Sequence, residues 1–534
     1  MGIPSFYRHL VKTSPSLIKK NISGKATILA LDLNCAIYHC LAKLNKKTSY
    51  KSESRLDFES KLIQGVIQYI VKLRDHVQPT DLLYIAVDGV VPIAKIRQQR
   101  LRRFKSVWVG AEEAKIKGTE VGAGWDRNSI TPGTDFMDSL TKRLEEWAKN
   151  QMDLKTVVSG VYESGEGEQK IMSYLRKMTN IGTGEIVVYG LDADLIVLCL
   201  WHRRQYNWSF KLLREEVEMT GGVKLDSMND ETMLYFDINE LSNVLSDKWK
   251  VDIQDFVGIM TFLGNDFVPH GMTLCIREDG IERLMDILEC IGENLLVNIN
   301  GLWTYNMIVL NKLLDIVAKK EVEWFKRGVV KKLKMPSRGF SRGKTETTEM
   351  DKQLGALNNL PLNWKVERCL MTYDEETGWS LSNDWASLYY KEFLWDGEAD
   401  NTVKEWLYGI QWVLDYYTGC RKVDMLWYYP WYLPPLFCDI SRVCASLDSV
   451  TPLHIEQECD DNPIDAKSQL LMVLPVESFG LLQSVFRKIA FKHPEYFPQE
   501  WGFFSAGRRQ LWECEPLLPI LPFSVIQNFR RNMK

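Results

Sequence analysis

Three short apolar runs in the first two hundred residues share one pattern. Residues 26–32 read ATILALD, residues 82–88 read LLYIAVD, and residues 186–192 read IVVYGLD. Each is continuously hydrophobic, which is the pattern of a strand covered on both faces. Between them apolar positions return at helical spacing, as over 58–74 and 138–149. Strand alternating with helix predicts an α/β fold, a mostly parallel twisted sheet flanked by helices. A further helical stretch over 252–263 runs into Gly264, Asn265 and Asp266. From about residue 358 the texture changes to one dense in Trp and Tyr, including Trp395, Trp406, Trp427 and Trp431. That predicts a mainly helical, aromatic-rich segment packed on the first. The Gly-, Ser- and Thr-rich stretch between them predicts a division into 1–335, a linker or flexible excursion over 336–357, and a second region over 358–534. Within the linker, GFSRGKT is one residue short of a P-loop and follows no strand, so it is rejected as a nucleotide site.

Composition narrows the class. A chain of 534 residues can bury a large core and has room for two to four domains. Its net charge of −4 does not mark a nucleic-acid binder, so any such surface must be a local patch. The eleven cysteines are odd in number and lack C-x-x-C or C-x-x-H spacing, which predicts reduced thiols in an intracellular protein without a zinc site. No run reaches the eighteen or so apolar residues of a membrane span, and no signal-peptide core opens the chain, so a soluble protein is expected. Met-Gly at the start is not a myristoylation signal, because Phe6 stands where Ser or Thr is needed.

All three apolar runs end in aspartate: Asp32, Asp88 and Asp192. Ligands of open α/β sheets bind beyond the carboxyl ends of the strands, so these acids are expected to converge on one crevice. A lone Asp there is as often a helix cap. Two acidic pairs weaken that reading: Glu166 and Glu168 in SGEGEQK, and Asp192 and Asp194 in GLDAD. With Asp266 the set comes to seven carboxylates from five segments. Such crowding repels itself unless cations occupy it, and oxygen ligands without His or Cys select magnesium or manganese. Two ions about 3.5–4 Å apart can bracket a scissile phosphate.

Directly after Asp88 comes GVVPIAKIRQQRLRRFK. From Pro92 onward Lys95, Gln99, Arg102 and Arg103 fall at i, i+4, i+7 and i+8, on one helical face. A solvated basic face is the ordinary reading of such a pattern. Proximity to Asp88 favours a phosphate cradle, since Arg forms bidentate bonds to phosphate oxygens.

These residues resemble the XRN family of 5′→3′ exoribonucleases, within the flap-endonuclease-like (PIN-like) nucleases. The matching segments are MGIPSFYRHL, LDLN (31–34), VDGVVPIAKIRQQR (87–100), TPGTDFM (131–137), SGEGEQKIM (164–172), GLDADLI (190–196) and LGNDFVPH (263–270). Weaker collinear matches follow: NWK (363–365), GIQWVLDYY (409–417), WYYPWYLPP (427–435), QLLMVLP (469–475) and GRRQLWECEPLLPILP (507–522). The resemblance implies that 1–335 is the nuclease catalytic region. It assigns Asp32, Asp88, Glu166, Glu168, Asp192, Asp194 and Asp266 as catalytic metal ligands for two Mg2+ ions, with Mn2+ a compatible substitute. It assigns Lys95, Gln99, Arg102 and Arg103 to the 5′-monophosphate. For base stacking it points to Trp412 and to Tyr38, which stands at the family's His position, with His39 one residue later. Stacking needs a π face and not an imidazole. Two further departures are Gln169, where the family usually has His, and Ile93, where Arg is common.

The resemblance thus implies a processive 5′→3′ exoribonuclease that degrades 5′-monophosphorylated single-stranded RNA to nucleoside 5′-monophosphates. It also implies a role in mRNA decay, decapping machinery as a possible partner class, no membrane association and a monomer. It covers the conserved catalytic core, and a minimal form limited to that core is expected. A cytoplasmic location is expected too, because no basic import cluster stands outside the catalytic segment. The alternatives are a structure-specific flap endonuclease acting on DNA and a non-catalytic RNA-binding scaffold. The first lacks its glycine-rich helix-hairpin-helix here, and the second is disfavoured by the full set of seven carboxylates.

Overall fold

The computed structural model describes residues 3, 5–22, 24–47, 50, 54–122, 124–178, 181, 184–190, 192–215, 232–335, 348–395, 399–447 and 464–531. Its centre is a seven-stranded sheet of β1 (Ile18–Lys19), β2 (Ala26–Asp32), β3 (Leu82–Ala86), β4 (Thr156–Ser159), β5 (Glu185–Tyr189), β6 (Ser209–Glu215) and β7 (Met233–Asp237), in the order β1-β7-β6-β5-β2-β3-β4. The ladders β4-β3, β3-β2, β2-β5 and β5-β6 are parallel. Both ladders of β7, with β6 and with β1, are antiparallel. The mostly parallel sheet is as expected; the antiparallel edge was not foreseen.

Alternate residues of the central strands enter two different cores. Ile28 and Ala30 of β2, Tyr84 and Ala86 of β3, and Ile186 and Val188 of β5 face one core; Leu29, Leu31, Leu83, Ile85, Val187 and Tyr189 face the other. Burial on both faces explains why these strands read as unbroken apolar runs. The helices that cover the sheet include α1 (Phe6–Thr13), α2 (Leu33–Lys47), α3 (Arg55–Val77), α4 (Ile93–Lys117), α5 (Asp135–Lys149), α6 (Gly167–Lys177) and α7 (Asp194–Tyr206). The predicted helices over 58–74 and 138–149 lie inside α3 and α5. The one over 252–263 is a helix from Ile253 to Met260 and a 3-10 turn from Thr261 to Leu263. No helix among the described residues is long and apolar enough to cross a membrane, and the cysteines among them are unbridged.

Of the expected linker, residues 336–347 lie outside the described residues. The remainder departs from the expectation: Thr348 and Asp351 form a capping box that starts a helix from Glu349 to Asn358. Downstream residues share cores with the first region. One core joins Phe6, Trp201 and Phe256 to Trp406, Trp412 and Tyr429. Another joins Val91, Ile96 and Phe104 to Leu471, Phe486 and Leu521.

α4 fastens the two regions. Its Arg100 is 1% exposed and donates to the carbonyls of Pro519 (3.2 Å), Met472 (2.8 Å) and Tyr496, with its guanidinium over the Phe104 and Phe497 rings. Lys105 Nζ donates to the carbonyls of Trp512 (3.0 Å) and Cys514 (2.5 Å). Arg97 donates to Pro430 O (2.9 Å) and lies over the Tyr432 ring. These basic residues hold the C-terminal segments and take no part in a phosphate face.

Candidate active site

The strand ends deliver the carboxylates by short routes. Asp32 is the last residue of β2 and lies beside Ala86 in the ladder with β3. Asp88 follows β3 by two residues, and Asp194 opens α7. Glu166 is the cap residue of α6, and Glu168 is in its first turn. Gly167 stands between them because a Cβ there would run into Asp32 Oδ1. Its N–H donates to Asp88 Oδ1 (2.8 Å), while Asn34 Nδ2 donates to Asp88 Oδ2 (2.6 Å). Gly264 has φ +85°, and a Cβ there would meet His270. Asn265 Oδ1 then accepts the N–H groups of Phe267 and Val268, both at 2.9 Å, closing a tight turn around Asp266.

The pooled charge is visible in the acidities. Burial, then Asp88, Asp192 and Glu166, drives the Asp32 carboxyl well above the usual range. Burial and Glu166 do the same to Glu168. Asp194 is pushed up to about 8 by burial and by Asp266, against the opposing pull of Lys95. These mutual effects put the acids in one electrostatic neighbourhood.

Lys95 sits inside that neighbourhood. Its Nζ is 2.5 Å from Glu166 Oε1 and 2.7 Å from Asp266 Oδ2, and the residue is 5% exposed. Burial works to lower its pKa, but Asp266, Glu166, Glu168 and Asp194 together raise it well above the ordinary value. The helical spacing predicted Lys95 beside Arg102 and Arg103; the structure sets it among the carboxylates instead. Its four-carbon stem reaches where the excess of negative charge is greatest.

Among the described residues no three His, Cys, Asp or Glu side chains converge closely enough to hold an ion, and an ammonium bridges two of the carboxylates. The donor set nevertheless fits a hard divalent cation. It is made of buried carboxylates whose repulsion favours added positive charge, and Asp194 Oδ1 is buried without a hydrogen-bond partner.

The rest of the basic face runs away from the cluster. Eight residues of helix carry it about 12 Å from Lys95 to Arg103. Arg103 donates through Nη1 to Asn128 Oδ1 (2.8 Å), and its Nε is buried and unpaired. Burial lowers its pKa to about 10, and the neighbouring Arg102 adds to the shift. Gln99 Oε1 is likewise buried without a partner. An unpaired guanidinium N–H near a second guanidinium is suited to a phosphate.

Residues 1–216 match the family model described as the XRN 5'-3' exonuclease N-terminus, and residues 248–364 match the Xrn1 helical domain. The chain belongs to the XRN family. It is 28% identical over 593 residues to 5'-3' exoribonuclease 1 of Homo sapiens, covering 98% of this chain and 33% of the human protein. To 5'-3' exoribonuclease 1 of Schizosaccharomyces pombe it is 26% identical over 654 residues, covering 98% and 48%. To 5'-3' exoribonuclease 2 of Yarrowia lipolytica it is 24% identical over 709 residues, covering 98% and 68%. The chain thus spans a third to about half the length of the first two XRN relatives.

Of the aromatic residues that the XRN resemblance implicates, Tyr38 is 40% exposed. His39 turns inward, its ring 4.7 Å from that of Tyr69 and its Nδ1 4.0 Å from Glu215. Trp412 is 1% exposed. Its ring stacks on Tyr416 at 5.2 Å and touches Phe267 and Trp427, and its Nε1 donates to Asp424 O. In this geometry Tyr38 presents a free face and Trp412 is a packing residue.

Sequence reasoning missed four residues that shape the XRN site. Asn34 orients Asp88, and Tyr416 Oη donates to Glu166 Oε2 at 2.7 Å. Lys170 Nζ ties the carbonyls of Val87 and Gly160 together, each at 2.7 Å. Arg214 holds the carbonyls of Gly190 (2.8 Å) and Asp192 (3.2 Å). Asn34 and Tyr416 lay within the motifs LDLN and GIQWVLDYY, so position in a motif was the available signal.

Proposed function

We propose that the protein is a 5′→3′ exoribonuclease that removes nucleoside 5′-monophosphates processively from single-stranded RNA bearing a 5′ monophosphate. The observation that carries this reading is the pairing of two features along α4: a crowd of carboxylates at its start, and, farther along, Arg103 with its Nε unpaired beside Arg102. The first feature suits hydrolysis of a phosphodiester and the second suits capture of a terminal phosphate. Two divalent ions, Mg2+ or Mn2+, supply water activation and leaving-group stabilisation when bound. Asp32, Asp88, Glu166, Glu168, Asp192, Asp194 and Asp266 hold them. Arg102, Arg103 and Gln99 grip the 5′ phosphate, while Lys95 pairs with Glu166 and Asp266. Tyr38 stacks the first base. The bulk and extra charge of a cap or triphosphate are disfavoured beside the buried Arg103. A place in mRNA decay after decapping, in the cytoplasm and as a monomer, accords with this substrate.

The test is digestion of end-labelled RNAs that differ only at the 5′ end, with and without Mg2+. The expected result is Mg2+-dependent release of mononucleotides from the monophosphorylated RNA and little from the 5′-hydroxyl or capped forms. Faster cleavage of a DNA flap, yielding oligonucleotides, would overturn the reading.

A further inference from the structure

The helix from Ala399 to Thr418 belongs to the aromatic second region, yet its last turns reach the carboxylate cluster. Tyr416 is buried, with its ring stacked on Trp412 and edge-on to Phe267 at 4.9 Å. These contacts fix the ring plane and hence the direction of its hydroxyl, which donates to Glu166 Oε2 at 2.7 Å. The other oxygen of the same carboxylate, Oε1, faces Lys95 Nζ at 2.5 Å. The two oxygens of Glu166 are therefore not equivalent. One is committed to a neutral donor from the second region, and the other points to the place where positive charge gathers.

We infer that Tyr416 is a positioning residue that holds Glu166 Oε2 and keeps Oε1 turned toward the carboxylate cluster, where a divalent cation would bind. This inference rests on the proposed metal-dependent function and adds a residue from outside the nuclease region to it. A carboxylate free to rotate loses ordering entropy on binding an ion; one already held by a phenol does not. Asp88 is anchored in the same manner, but by Asn34 and Gly167 of the first region. Partners that orient metal ligands typically change metal affinity by about 10–100-fold.

The experiment titrates Mn2+ into the full chain and reads the free ion by electron paramagnetic resonance, for the wild type, Tyr416→Phe and Tyr390→Phe. Tyr390 is the control, since its hydroxyl makes a similar 2.7 Å bond to Asp439 and is absent from the carboxylate cluster. Tyr416→Phe is expected to weaken Mn2+ binding about tenfold, with Tyr390→Phe unchanged. At saturating Mn2+ the rate on monophosphorylated RNA should return, so the change appears in the metal requirement. Equal Mn2+ binding by Tyr416→Phe and wild type would overturn the inference and leave the proposed function standing. Equal loss in both variants would also overturn it, as general loosening. Absence of Mn2+ binding to the wild type would overturn both. Should Tyr416→Phe not fold, 3-fluorotyrosine at position 416 keeps the ring and strengthens the donor. Tighter Mn2+ binding would then support the inference, and unchanged or weaker binding would overturn it.

Discussion

Two buried lysines in this molecule meet carboxylates at almost the same distance and stand in opposite situations. Lys332 is 3% exposed and reaches Glu367 Oε1 at 2.6 Å and the Ser505 carbonyl at 3.0 Å, while Gly507 N–H shares the same carboxylate oxygen. Lys95 is 5% exposed and reaches Glu166 and Asp266, with Glu168 and Asp194 close enough to bear on it. At Lys332 one ammonium answers one carboxylate, and a structural ion pair results. At Lys95 one ammonium answers several carboxylates, and the excess negative charge favours another cation. Burial and ion pairing alone do not mark an active site; an imbalance of charge that the fold sustains does.

The comparison breaks most decisively at the carboxylates. Asp192→Ala combined with Asp194→Ala is expected to reduce RNA hydrolysis on the order of a thousandfold or more, the scale of losing a principal electrostatic contribution. RNA retention on a filter should persist, and unchanged turnover would exclude this cluster as the catalytic centre. Next in size is the pair of lysines itself. Lys332→Met should cost about 3–5 kcal/mol of stability, as for a buried pair robbed of one partner, and Mg2+ should not restore it. Lys95→Met should lower the melting temperature in chelator and recover most of it in Mg2+, because an ion can replace the missing ammonium. If Mg2+ restores both variants, or neither, the distinction between the two lysines fails.

Smaller effects sharpen the far end of α4. Arg102→Ala should cut the preference for 5′-monophosphate over 5′-hydroxyl RNA roughly tenfold, the worth of one charge-assisted hydrogen bond. A ratio equal to that of the wild type would remove Arg102 from the phosphate site. Comparable in size is Tyr38→Ala, expected to weaken RNA binding by about 1–3 kcal/mol through loss of one stacking surface. Tyr38→Trp should retain it. A larger loss from Trp412→Ala than from Tyr38→Ala, without loss of thermal stability, would show that Trp412 turns out of its packing to meet the base.

Much of this site was legible in the sequence, for reasons that can be named. Asp32, Asp88 and Asp192 end apolar runs because the parallel ladder fixes where strands stop, and their side chains enter the crevice beyond. Local pattern does not encode the partner of a long side chain. Lys95 lies on the same broad helical face as Arg103, yet its Nζ pairs with Glu166 and Asp266. Arg100 and Lys105 looked like more of one basic patch, and only the returning chain near residues 472, 496 and 512–519 reveals them as anchors. Tyr416 lies 250 residues from Glu166, a contact that no periodicity predicts. The antiparallel edge of the sheet escaped for the same reason, since strand direction follows from where the chain crosses.

α4 has one more consequence, which concerns insertions. It serves three directions at once: Lys95 toward the acids, Arg103 toward Asn128 and Tyr38, and Arg100 with Lys105 toward the returning chain. Each residue added to a helix turns everything after it by about 100°. A single insertion between Lys95 and Arg100 would therefore turn Arg100, Arg103 and Lys105 away from their present partners all at once. Substitutions along α4 can be tolerated singly, but its length between positions 95 and 105 cannot drift. The segment is expected to accept point changes and to reject any change of register.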